Sequence, residues 1–115
     1  MQNFWLFSNL LACLCSSAGG VIAFVNPSAL SGSSQVNKGE LYYQRMYTAR
    51  ALPLGILAGV LPFYHEGPVV ASIILAAATV QAMDVAIGYS KGDRGMMIGA
   101  SVATAIHTLF FFSLY

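Results

Sequence analysis

LYYQRMYTARALPLGILAGVLPFY, residues 41–64, places Arg45 and Arg50 inside a run that otherwise reads as a membrane-spanning helix. An arginine near the middle of an apolar helix costs about 2.5 kcal/mol or more on insertion scales, so it faces a bundle interior or a wet cavity and takes a partner. Arg50 therefore predicts a buried anion elsewhere in the chain, and the rest of the sequence is read with that requirement in mind.

The solvent is set by composition. Of 115 residues, 57% are hydrophobic and 8% charged, with a mean hydropathy of +0.70, whereas soluble domains average about 25% charged residues. In a bilayer the backbone must satisfy its own hydrogen bonds, which leaves helices or closed barrels, and long apolar runs without period-2 alternation select helices. The expected fold is all-α, a single transmembrane domain over residues 1–115 built as an integral membrane up-and-down four-helix bundle.

The first span is placed at about residues 4–25, which as a helix of about 33 Å crosses the hydrocarbon core. It lacks a basic leading region and is read as a retained helix rather than a signal peptide. Asn26-Pro27 ends it. Ser28 to Lys38 is polar and without period, and is expected to be one long loop, either a lid or a plain connection. The second span, residues 40–64, carries Pro53, tolerable in a membrane helix and able to kink it beside Arg50. The third, 69–89, follows the turn His65-Glu66-Gly67-Pro68, and the fourth, 95–114, follows Ser90-Lys91-Gly92-Asp93-Arg94. Such short connections make the second, third and fourth helices antiparallel neighbours. Lys38, Lys91 and Arg94 fall on one side of the bundle, and the positive-inside rule then puts both termini on the non-cytosolic side.

With spans centred in the bilayer, Arg50 lies about 3 Å, Gln81 about 4 Å and Asp84 about 8 Å from the centre toward the charged loops, with His107 about 4–5 Å beyond it. Asp84 is thus the expected partner of Arg50. At 100° per residue Tyr43, Tyr47, Arg50 and Leu54 share one stripe, as do Gln81, Asp84 and Gly88 on the next helix. Gly99 and Ala103 leave space beneath His107. Arg45 points nearly opposite to Arg50, toward the interface, where it serves as an anchor. Cys13 and Cys15, two apart on a helix, cannot pair and are read as small core residues.

The pattern Phe24-Val25-Asn26-Pro27, RMYTARALPLGIL at 45–57, Met83-Asp84-Val85 and Ile106-His107-Thr108 resembles a family of small four-helix membrane proteins, with bacterial and fungal members, catalogued only as a domain of unknown function. The likeness covers almost the whole chain. It implies that Arg50, Asp84 and His107 are the family's polar positions within the membrane, while the loop before the second helix is longer here than in bacterial members. Fungal proteins of this size and character look like pathway enzymes for polyketides or terpenoids, an analogy at the level of the fold.

Two functions are open at this level. In the first, the protein is an enzyme of a lipophilic small molecule. Asp84, held by Arg50, acts as general base or orients a water, His107 or Tyr47 acts as acid, and Tyr43 and Gln81 contact the substrate. Opening or hydrolysing an epoxide, cyclisation and isomerisation all suit this set, and none needs a cofactor. In the second, Arg50 and Asp84 fix helix register in a non-catalytic binding or assembly subunit, and the Ala, Gly and Ser content suits association with further copies equally well. A proton pathway fits less well, because the half of the bilayer beyond His107 offers no ionisable group. One deep histidine and one deep carboxylate fall short of a metal site. A formal net charge of +1 without a basic run gives no footprint for nucleic acid. A pocket of about 300 Å³ or more reaching Asp84 separates the enzyme from the scaffold.

Overall fold

The structure, a computed structural model, describes residues 1–115 apart from the side chains of Leu30 and Ser31. It consists of α1 (Gln2–Val25), α2 (Pro27–Ser31), α3 (Lys38–Val60), α4 (Pro68–Lys91) and α5 (Arg94–Ser113), with a 3₁₀ turn at Leu61–Phe63 extending α3. No strand occurs among the described residues. The expected all-α four-helix bundle is the observed one, formed by α1, α3, α4 and α5, each long and apolar enough to cross a membrane. The bundle is 46 Å along its longest axis, comparable to a bilayer with its headgroup regions at about 40–45 Å.

Each helix end has a chemical cause. Asn37 and Glu40 form a reciprocal capping box at the start of α3, Glu40 N donating to Asn37 Oδ1 at 2.8 Å and Asn37 N to Glu40 Oε2 at 2.9 Å. Pro68 opens α4 in its first turn, where no amide hydrogen is needed. Gly92 closes that helix at φ 69°, a left-handed conformation that glycine adopts without a Cβ clash. Asp93 caps α5 by accepting from Met96 N at 3.0 Å. α3 continues through Pro53, as the sequence allowed.

The packing runs opposite to that of a water-soluble bundle. Buried apolar positions are mostly small, Ala12, Ala23, Ala58, Ala71, Ala77, Ala100 and Ala103 among them, while Phe4, Leu11, Ile98 and Phe112 face outward. Lipid tails are as apolar as leucine, so burying large side chains gains little there, and small residues that let backbones approach gain dispersion instead.

Two expectations, on residues 28–38 and on Cys15, are corrected. Residues 28–38 are not one long loop: Pro27 to Ser31 form the short helix α2, started by the proline that ends α1 and stopped by Gly32 at φ 68°. α3, α4 and α5 are neighbours in that order, as expected, but the pairs differ in how closely they pack. α3 packs on α1, α4 packs on α5, and α3 meets α4 only sparsely. The cause is a seam of small residues. A methyl group added at Gly55 would run into Ser17 Oγ and sit 3.3 Å from the Cys13 carbonyl oxygen, and one at Gly59 would sit 3.0 Å from Cys13 Cβ. Gly55 and Gly59 lie one turn apart, so α1 and α3 come together almost backbone to backbone. Cys13 is accordingly buried, whereas Cys15 is exposed rather than in the core, and both are free thiols.

Candidate functional site

Where α3 and α4 stand apart, polar groups link them instead of packing. Arg50 Nη2 donates to Asp84 Oδ1 at 2.7 Å, the side chains being 40% and 6% exposed. The expected pair is therefore formed, and it is end-on: no donor among the described residues is hydrogen-bonded to Asp84 Oδ2. The Arg50 guanidinium also lies 5.7 Å from the centre of the Tyr47 ring, one turn earlier on α3. A further turn back, Lys91 Nζ stands 4.4 Å from the centre of the Tyr43 ring. The stripe of Tyr43, Tyr47 and Arg50 predicted on one face of the helix thus meets α4 through two cations and one carboxylate. Arg45, on the opposite face, is exposed.

Gln81 lies one turn before Asp84 and crosses to α1, donating from Nε2 to Ser16 Oγ at 3.0 Å. Tyr47, Gln81, Asp84 and Ser16 together border two spaces. One is a recess of about 20 Å³ at the centre of the bundle, shared with Arg50 and His107. The other is a groove of about 1030 Å³ that runs toward the Lys91 end, with Tyr43 and Lys91 along α3 and α4 and with Gly19, Cys15, Gly99 and Ala103 along α1 and α5. The space beneath His107 read from Gly99 and Ala103 is part of this groove. It exceeds the about 300 Å³ set as the requirement for a substrate site.

His107 does not join the ion pair by a hydrogen bond. It is 2% exposed, and its Nδ1 lies 2.8 Å from Oδ1 of Asn9, itself fully buried. Asn9 Nδ2 donates to the Ala58 carbonyl at 2.7 Å, which fixes the amide with its oxygen toward the imidazole. An amide oxygen only accepts, so the hydrogen of the neutral ring is on Nδ1 and Nε2 is the bare, accepting nitrogen. A hydrogen-bond chain therefore ties α5 to α1 and α1 to α3.

Asn9 is the residue that sequence reasoning missed. It lies seven residues after the start of α1 and His107 six before the end of the antiparallel α5, so the same depth arithmetic that paired Arg50 with Asp84 also pairs these two. Thr48 was likewise passed over: its hydroxyl donates across the seam to the Gly20 carbonyl at 2.7 Å. Among the described residues no group of three His, Cys, Asp or Glu side chains converges. No protein-family model, curated protein or solved structure matches the chain.

Proposed function

We propose that this protein is a small multi-pass membrane enzyme that acts on a lipophilic small molecule by cofactor-free acid/base chemistry. The observation that carries the reading is the groove of about 1030 Å³ whose inner wall includes Asp84 and Tyr47. A register-fixing ion pair needs no such space beside it. Asp84 is the base: Arg50 holds its Oδ1 and orients the carboxylate while Oδ2 remains for proton abstraction. Tyr47, whose ring the guanidinium overlies, is the acid toward an oxyanion developing in the groove. His107, its proton committed to Asn9, contributes an acceptor rather than an acid. Tyr43 and Gln81 line the path of the substrate. Opening of an epoxide, ring closure onto one, and migration of a double bond next to a carbonyl all lie within reach of one base and one acid.

One observation favours a non-catalytic bundle: the Arg50–Asp84 contact is short, and it spans α3 and α4, which otherwise meet only sparsely. Fixing register there is a sufficient role for a buried pair. Metabolite profiling of a host carrying the wild-type chain, Asp84→Asn or Gly99→Phe separates the two readings. Gly99 lines the groove and has nothing within 4 Å of an added Cβ, so a phenyl ring there is placed to fill it. An enzyme loses its product in both variants. A scaffold keeps its cellular role with Gly99→Phe.

A further inference from the structure

The recess beside the ion pair has a volume of about 20 Å³. A single water needs about 10–15 Å³ and two to four polar partners, so the recess has room for a water. The groups around it have unused hydrogen-bonding capacity. Asp84 gives Oδ1 to Arg50 and keeps Oδ2. The His107 ring keeps the Nε2 lone pair, because Nδ1 is engaged with Asn9. Ser16 accepts from Gln81 and retains its own hydroxyl hydrogen to donate. The rest of the wall includes the apolar Leu54, Ala58 and Ala77 together with Tyr47, Arg50 and Gln81.

We infer that this recess is a single-water site and that its water is the nucleophile of the reaction proposed above. The inference rests on that proposal and narrows it: the substrate is a lipophilic electrophile that takes up water, a strained cyclic ether being the simplest, rather than one that only rearranges. Two acceptors bind the two hydrogens of the water and turn an oxygen lone pair away from themselves. Ser16, Tyr47, Gln81 and Asp84 border both the recess and the groove, so that lone pair is next to whatever the groove holds. In the step itself the water oxygen bonds to a ring carbon as the ring C–O bond breaks. The water proton passes to Asp84 Oδ2, and the alkoxide takes the Tyr47 phenolic proton. Return of the proton from Asp84 to Tyr47 restores both groups, and for a three-membered ring the sum is epoxide plus water giving a vicinal diol.

Two measurements test this on the full chain. In nanodiscs with nitrogen-15-labelled histidine, the His107 signal should show a protonated Nδ1, a bare Nε2 and magnetisation transfer from a long-lived water. Ala77→Val, which narrows the recess, should abolish the transfer while the Asn9 contact persists as the control for folding. A wild-type ring without water contact overturns the site. In host cells supplied with oxygen-18 water, the metabolite that depends on Asp84 should carry one labelled oxygen more than its precursor. A product isomeric with its precursor overturns the nucleophilic water and leaves the acid/base enzyme standing. Absence of any metabolite that depends on Asp84 overturns both.

Discussion

Removing Arg50 and removing Asp84 should not cost the same, although the two form one ion pair. Asp84 has a short side chain that is 6% exposed, whereas Arg50 has a long one that is 40% exposed. Arg50→Met leaves a carboxylate at the bundle centre with no partner, and breaking a buried pair in this way costs about 3–5 kcal/mol. Asp84→Asn keeps the shape and an accepting oxygen. The bond falls from a charge-assisted about 1.5–3 kcal/mol to a neutral about 0.5–1.5 kcal/mol, a loss of about 1 kcal/mol. The guanidinium keeps the Tyr47 ring, and its flexible stem lets it seek water. The double variant buries no charge and leaves an amide short of one partner, at about 1–3 kcal/mol. The coupling energy of the cycle is then about 3 kcal/mol, carried mostly by the Arg50→Met single variant. Reversible unfolding in mixed micelles, followed by helicity, gives all four values. Equal destabilisation by the two single variants would refute the argument from exposure. Activity adds a second axis: Asp84→Asn should lose about 100-fold or more while remaining folded, and the double variant should stay inactive. A double variant that regains cellular function together with stability defeats the catalytic assignment.

The α1–α3 seam makes Gly55→Ala destabilising by about 1–3 kcal/mol through overpacking, and Ser17→Gly in the same chain should recover most of the loss because Ser17 Oγ is what the new methyl meets. Thermal unfolding of the pair against the single variant checks this. Asn9→Leu strips partners from both the Ala58 carbonyl and His107, at about 1–3 kcal/mol for each buried group left unsatisfied, and the same unfolding assay should show a larger loss than for Gln81→Leu, which frees only Ser16. In sealed vesicles a Lys91→Cys variant should react with an impermeant reagent from the cytosolic face and a Tyr115→Cys variant from the other. The opposite pattern reverses the orientation drawn from Lys38, Lys91 and Arg94.

The Arg50–Asp84 pair was legible because a charge inside an apolar span has few places to go, and helical rise converts sequence position into depth. Asn9 obeys the same arithmetic but carries no charge. A lone amide six residues into an apolar run did not demand a partner, although it is the side chain that decides which nitrogen of His107 bears hydrogen. Chain connectivity gave the neighbours but not the closeness of each pair. The turn between α4 and α5 joins two closely packed helices, whereas Gly55 and Gly59 let α1 approach α3 more closely than α4 does. The helix at Pro27–Ser31 was hidden for a different reason, since five residues are too few to show a period. The groove arises from the splaying of whole helices, and no local pattern of residues encodes that.

The Asn9–His107 contact lies in the half of the bundle where the chain begins and ends, with Phe110 buried one turn further on. The groove lies mostly toward the opposite end, from Gln81 to Lys91 on α4, and reaches past the middle of the bundle to Leu11 on α1 and Ile106 on α5. The molecule is thus parted chiefly on the Lys91 side. On the function proposed above, a compound dissolved in the bilayer reaches Asp84 from the side that borders Lys38, Lys91 and Arg94. For an enzyme of that kind the relevant concentration of substrate is an areal one, set by how the compound partitions between the two monolayers.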